Sequence, residues 1–121
     1  MEADDLKART KEFALRVIKL VGALPKTVEG RAIVSQLVCC GTAVAANYRA
    51  TCRARSKAEF IAKVGVVLEE ADESLLWLEL IVDAKLLPPK RVGPLLREAG
   101  ELVAIMAASR KSAASNLKSA L

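Results

Sequence analysis

Residues 46 to 60 read ANYRATCRARSKAEF. Within it, Ser56 and Glu59 occupy the two ends of SKAE, the pattern of a capping box. A serine side chain there caps the first amides of a helix, and the glutamate three residues on reaches back to the serine amide. One helix must therefore end before Ser56 and another begin at Lys57. Arg49 and Arg53 then fall in the last turns of the earlier helix, where cations favour the negative end of the dipole. The stretch reads as a corner between two helices, and the fold follows from what flanks it.

Upstream, Ile33, Leu37, Cys40, Val44, Asn47 and Thr51 recur at alternating spacings of four and three. That 3.5-residue repeat marks the seam of a bundled helix. Downstream, Phe60 or Ile61 leads into Val64, Leu68, Ala71, Leu75, Leu78 and Val82, closed by Pro88 and Pro89. Two more ladders lie outside these. Leu6, Thr10, Phe13, Val17, Leu20 and Leu24 precede Pro25, and Val92, Leu95, Ala99, Leu102 and Met106 fade into the polar tail RKSAASNLKSAL. The spacing predicts helices near 4–24, 28–53, 57–86 and 90–113. Short connections make this an all-α, antiparallel, up-down-up-down four-helix bundle whose neighbours cross near about 20°. It forms a single domain over residues 1–121, with a polar tail from about 110. No segment alternates with period two for long enough to argue for a strand.

Composition supports this reading. Hydrophobic residues make up 53% but aromatics only 3%, so the core must be aliphatic. Four prolines and six glycines leave room for long helices. The net charge of +5 is unevenly spread: residues 1–56 carry +5, residues 57–87 carry −4 and residues 88–121 carry +4. Three cysteines (Cys39, Cys40, Cys52) and no histidine provide neither a CxxC pair nor a Cys/His set for zinc. They read as buried, reduced thiols. The opening MEADDLKARTK has no apolar run, so the expectation is a cytoplasmic protein without a signal peptide. Residues 32 to 48, AIVSQLVCCGTAVAANY, lack charge, but their polar members and like-charged flanks favour a helix buried all round by protein over a membrane span.

Helices two and three carry more apolar surface than one core needs. In LLWLELIV, residues 75–82, only Glu79 is polar. Leu76, Trp77 and Leu80 must then face something beyond their own core, and in helix two Ser35, Cys39, Gly41, Ala43 and Ala45 permit close approach. The expectation is a homo-oligomer held by these faces. Glu69, Glu70, Asp72 and Glu73 resemble a bundle metal cluster, but such sites need Glu-x-x-His pairs and no histidine exists. They read as a solvated or salt-bridged face, with no metal and no cofactor. Cys52 lies among arginines without a partner base in the sequence, and is read as unreactive. Asn47, on the core seam, reads as a structural residue that fixes register or bonds a neighbouring backbone.

The run AVAANYRATCRARSKAEFIAKVGVVLEEADESLLWLELI resembles the 23S ribosomal RNA intervening-sequence protein family. The accessory variability determinants of diversity-generating retroelements are its relatives. The resemblance spans roughly residues 10 to 110. It is strongest at Ala46-Asn47, Arg55-Ser56 and Glu59-Phe60, then along the helix of Glu70 and Glu79. Ala50-Thr51 stands where many members carry Glu-Gly. The resemblance implies a four-helix bundle assembling as a ring-like homopentamer, with no established enzymatic activity. For the retroelement relatives it implies a basic surface engaging nucleic acid and a reverse transcriptase.

Two functions follow. In the first, Arg49, Arg53, Arg55 and Lys57, extended by Lys63, hold the phosphates of RNA or DNA on a non-catalytic oligomer. Tyr48 is the nearby aromatic for stacking, so backbone contact should dominate over base reading. In the second, the surplus apolar faces dock a partner protein without nucleic acid.

Overall fold

Prolines and side-chain caps cut the chain where its apolar repeats stop. The computed structural model describes residues 2–120, with side chains through Lys118. It holds α1 (Ala3–Val21), α2 (Val28–Cys52), α3 (Lys57–Asp83) and α4 (Pro89–Ala120). No strand occurs among the described residues. Each helix packs on two neighbours, α1 on α2, α2 on α3, α3 on α4 and α4 back on α1, which makes a bundle. Met1 and Leu121, the ends of the expected domain, lie outside the described residues.

The ends of the helices have local causes. Pro25 disfavours helical backbone at Leu24. α1 accordingly stops three residues short of expectation, in tight turns from Ala23 N–H to Leu20 O and from Leu24 N–H to Val21 O. Thr27 caps α2, its hydroxyl accepting from Gly30 N at 3.1 Å. Gly30 is required there, because a Cβ would lie 2.0 Å from the carbonyl oxygen of Pro25. Ser56 caps α3 by accepting from Glu59 N at 3.0 Å. The Glu59 carboxylate pairs sideways with Arg55 at 3.9 Å and Lys63 at 3.8 Å rather than closing the box on the Ser56 amide.

α3 ends at Asp83, not near 86, because Lys85 adopts left-handed backbone with φ 57°. The amides of Lys85 and Leu86 return to the carbonyls of Val82 and Ile81, both at 3.0 Å. That is a Schellman closure, here made without glycine. α4 continues to Ala120 instead of dissolving near 113. Its last turns, AASRKSAASNLKSA, are rich in alanine and free of breakers, and Ala113 is buried.

The core is aliphatic with Phe13 and Tyr48 as its rings. Phe13, Val17, Leu37, Val44, Leu78, Leu102 and Met106 are fully buried. Each large aliphatic side chain among them contributes about 1.5–3 kcal/mol relative to exposure. The ladders of α1 and α4 are buried as read from the sequence. The α3 seam is turned: Val64, Val67, Ala71, Ser74, Leu78 and Ile81 form it, while Leu68, Leu75 and Val82 flank it half-buried. Both ladders share Val64, Ala71 and Leu78, and what separates them is the side on which α2 and α4 lie. Ser74 was thereby missed as a core residue. Its hydroxyl donates to Glu70 O at 2.8 Å, with Cys40 Sγ at 3.3 Å from across the α2–α3 seam.

Asn47 is half-buried and its Nδ2 donates to Ala43 O at 2.9 Å, so it bonds its own helix; Tyr48 takes the core position beside it. α2 is long and apolar enough to cross a membrane by length and composition, with only 33% of its most apolar window buried. It is not buried all round as expected. Its outer side shows Ser35, Cys39 and Ala46 to solvent. Gly41 faces inward, where a Cβ would come within 3.0 Å of both Val17 methyls, so its smallness seats α1 on α2 within one chain.

The α1–α4 seam is closed by charge. Arg9 grips Glu98 with Nε at 2.7 Å and Nη2 at 2.6 Å, and reaches Glu101 at 3.4 Å. The Arg9 hydrogen bond holds the Glu98 carboxyl below its usual range, against the opposing effect of burial.

Candidate nucleic-acid interface

The corner between α2 and α3 gathers the basic residues singled out in the sequence. Arg49 lies in the last turn of α2, and Arg53 is the residue on which that helix ends. Arg55 sits in the turn and Lys57 opens α3. All four side chains are exposed. Lys63 is half-buried one and a half turns further along α3 and leans on Glu59. Glu59 is thus shared by Arg55 and Lys63, and the Arg55 side chain is 91% exposed. A pair so open to water is worth little, so the cations stay available to an anion.

Phe60 organises the ground beneath them. Two concavities meet at Lys57 and Phe60. One, of about 480 Å³, is lined by Tyr48, Cys52, Arg55 and Ser56. The other, of about 340 Å³, is lined by Ser109, Ser112 and Asn116 of α4. The polar tail anticipated from sequence is therefore a wall of this corner. Arg110, from the same turns of α4, lies over Gly65 of α3, its Nε 3.4 Å from where a Cβ on that glycine would stand. The signal for this was present in the alanine-rich helix-forming composition of residues 107–114 and in a glycine on the inner side of α3, which leaves room for a long side chain opposite.

Tyr48 is buried, and burial, assisted by the Cys52 thiol beside it, pushes its hydroxyl up to about 12. It stays a neutral phenol and offers no ring face to a base. Phe60, half-buried, presents what aromatic surface there is. Burial also pushes the Cys40 thiol up, opposed by its hydrogen bond to Ser74 and assisted by Glu73 and Glu70. It remains a protonated thiol. Cys39, Cys40 and Cys52 are all free, but only Cys40 is buried as expected: Cys39 is exposed on the outer side of α2 and Cys52 half-buried at its end. Among the described residues no three His, Cys, Asp or Glu side chains are grouped to hold a metal ion.

The acidic-apolar residues of α3 lie elsewhere. Leu76 is 49% and Leu80 36% exposed, as expected of an outer face. Trp77 is half-buried against the core, and its Nε1 is shielded without a hydrogen-bond partner. Burial pushes the Glu70 carboxyl above its usual range, with Glu73 and Glu69 adding to the effect.

Four packed helices with a corner of exposed basic side chains define a helical-bundle protein. The family model for 23S rRNA-intervening sequence proteins matches residues 4–108, and the chain belongs to that family. It is similar to the crystal structure of a protein of unknown function from the S23 ribosomal protein family of Bacteroides thetaiotaomicron. The two share 27% identity with a TM-score of 0.82, over 92% of this chain and 99% of that one. Neither description names an enzymatic activity. A comparison with curated proteins gives no match.

Proposed function

We propose that this protein is a non-catalytic, homo-oligomeric bundle that holds RNA or DNA by its backbone at the α2–α3 corner. The observation that carries the reading is the set of four exposed cations, Arg49, Arg53, Arg55 and Lys57, beside one shared carboxylate. Repeated around an oligomer, such a corner becomes a ring of charge to which phosphates are attracted with release of counterions. Shortage of exposed aromatic rings favours phosphate over base contact. The helices run up and down in turn. Support for that direction comes from Arg9 pairing with Glu98 while Arg16 and Lys19 share a concavity with Arg91 and Leu95. Three free thiols suit a reducing, cytoplasmic setting. The resemblance adds a homopentamer and, for a setting like that of the retroelement relatives, a reverse transcriptase as protein partner.

The test is fluorescence anisotropy with labelled RNA and DNA at ~50 mM salt, where phosphate contacts are strongest. Binding of both, steeply weakened by added salt and lost in Arg53→Glu/Arg55→Glu, is the expected result. Equal binding by the charge-reversed protein would return the corner to a helix end. The second reading, docking of a partner protein, is favoured by the exposed Leu76 and Leu80. Co-purification of one protein with no nucleic-acid retention would select it.

A further inference from the structure

Two outer faces of the bundle match one another in hydropathy and oppose one another in charge. On α1, Leu15 and Ile18 are 52% and 50% exposed. They lie on the side away from Leu6, Phe13 and Val17, with exposed Lys11 and Lys19 on the same side and Glu12 at its edge. On α3, Leu76 and Leu80 face away from the core, with exposed Glu69, Glu73 and Asp83 on the same side. Between Lys63 and Lys85 the α3 segment carries six carboxylates and no cation. Neither set is neutralised within its own chain: among the described residues, Lys11 and Lys19 make no ion pair, and nor do Glu69, Glu73 and Asp83.

The dimensions agree. Lys11 to Lys19 spans eight residues, about 12 Å of helix, and Glu73 to Asp83 spans ten, about 15 Å. Each pair of charges brackets two apolar residues a single turn apart. α1 and α3 stand across the diagonal of the bundle, since each packs only on α2 and α4. Their outer faces therefore look in opposite directions, and the two cannot meet within one molecule.

We propose that the α1 face of Leu15 and Ile18, bracketed by Lys11 and Lys19, docks head to tail on the α3 face of Leu76 and Leu80, bracketed by Glu73 and Asp83, of a second copy of this chain. The inference rests on the reading that the chain self-assembles, and names the surfaces that meet. A contact between two different faces is heterologous: every copy keeps one free face of each kind, and growth ends only by closing a ring. Apolar pairs at the centre and opposite charges at the rim give attraction and fix which copy face meets which. The small-residue side of α2 carries no comparable charge to choose a partner.

Charge reversal and its repair test this by light scattering at micromolar concentration. Wild type should be oligomeric. Lys11→Glu/Lys19→Glu and Glu73→Lys/Asp83→Lys should each fall to the single-chain mass with unchanged helical circular dichroism. Joining all four changes in one chain should restore assembly, because the rims are again opposite. The milder Lys11→Ala/Lys19→Ala, which keeps good helix formers, should weaken assembly about tenfold. A wild-type protein of single-chain mass would overturn the assembly reading together with this one. An oligomeric wild type whose mass ignores the α1 changes, or a folded four-fold variant that stays a single chain, would overturn this pairing alone.

Discussion

Lys85 holds a φ of 57°, the left-handed region that costs an L-residue roughly 1 kcal/mol. It does so because the amides of Lys85 and Leu86 cap the last carbonyls of α3. Lys85→Gly should keep that closure without the steric cost and raise stability by about 0.5–1 kcal/mol in urea denaturation. Gly30 is the opposite case. Its backbone is ordinary helix, where alanine is normally preferred by about 1 kcal/mol. With the Pro25 carbonyl 2.0 Å from a would-be Cβ, Gly30→Ala should instead cost about 1–3 kcal/mol. A denaturation midpoint that rises in this variant would mean that the α1–α2 turn yields freely. Ser56→Ala removes the hydroxyl that accepts from Glu59 N and should cost about 1 kcal/mol. Ser56 was legible in the sequence because a cap is local. Gly30 and Lys85 were not, because their constraints come from how the chain returns over a helix end.

Between elements, the strongest polar tie is Arg9 to Glu98, joining α1 to α4 over a side chain only 13% exposed. The depressed Glu98 carboxyl contributes stability that is present above the ordinary carboxylate range and lost as pH falls through its lowered folded value. Glu98→Gln should cost about 1.5–3 kcal/mol near neutral pH, the worth of hydrogen bonds to a charged group. The difference from wild type should close in acid. Glu70 runs the other way. A carboxyl raised on folding is penalised once ionised, fully above its raised folded value and not at all below the unfolded one. Glu70→Gln should therefore raise the thermal midpoint near pH 7 and leave it unchanged near about pH 3, which calorimetry at the two values would read. Neither the Arg9–Glu98 tie nor the Glu70 penalty was visible in a ladder of apolar residues. The heptad spacing marked the helices and, for α1 and α4, the buried side. On α3 apolar residues occupy both candidate seams, so periodicity alone left a choice that the positions of α2 and α4 decide. Ser74 in place of Leu75 is the mark of that choice.

At the scale of the molecule, the arrangement of charge was legible early: two basic flanks around an acidic α3 survive into the fold as separate faces. The corner's walls were not legible, because Ser112 and Asn116 come from a stretch whose polarity suggested an unstructured tail and whose alanines make a helix. If assembly rests on opposed rims and nucleic acid on a basic corner, raising salt should weaken both together, each through screening over about 10 Å at ~0.1 M. Sedimentation and anisotropy followed across one salt series would show two parallel losses. The chain also carries its own optical gauge of these events. Trp77 is its only tryptophan, set beside Leu76 with the indole N–H shut away from water and unbonded. An indole so sheltered emits toward the blue and moves red when water arrives. Opening of the core should thus announce itself as a red shift, and burial of the neighbouring leucines as a smaller shift the other way, with no label attached.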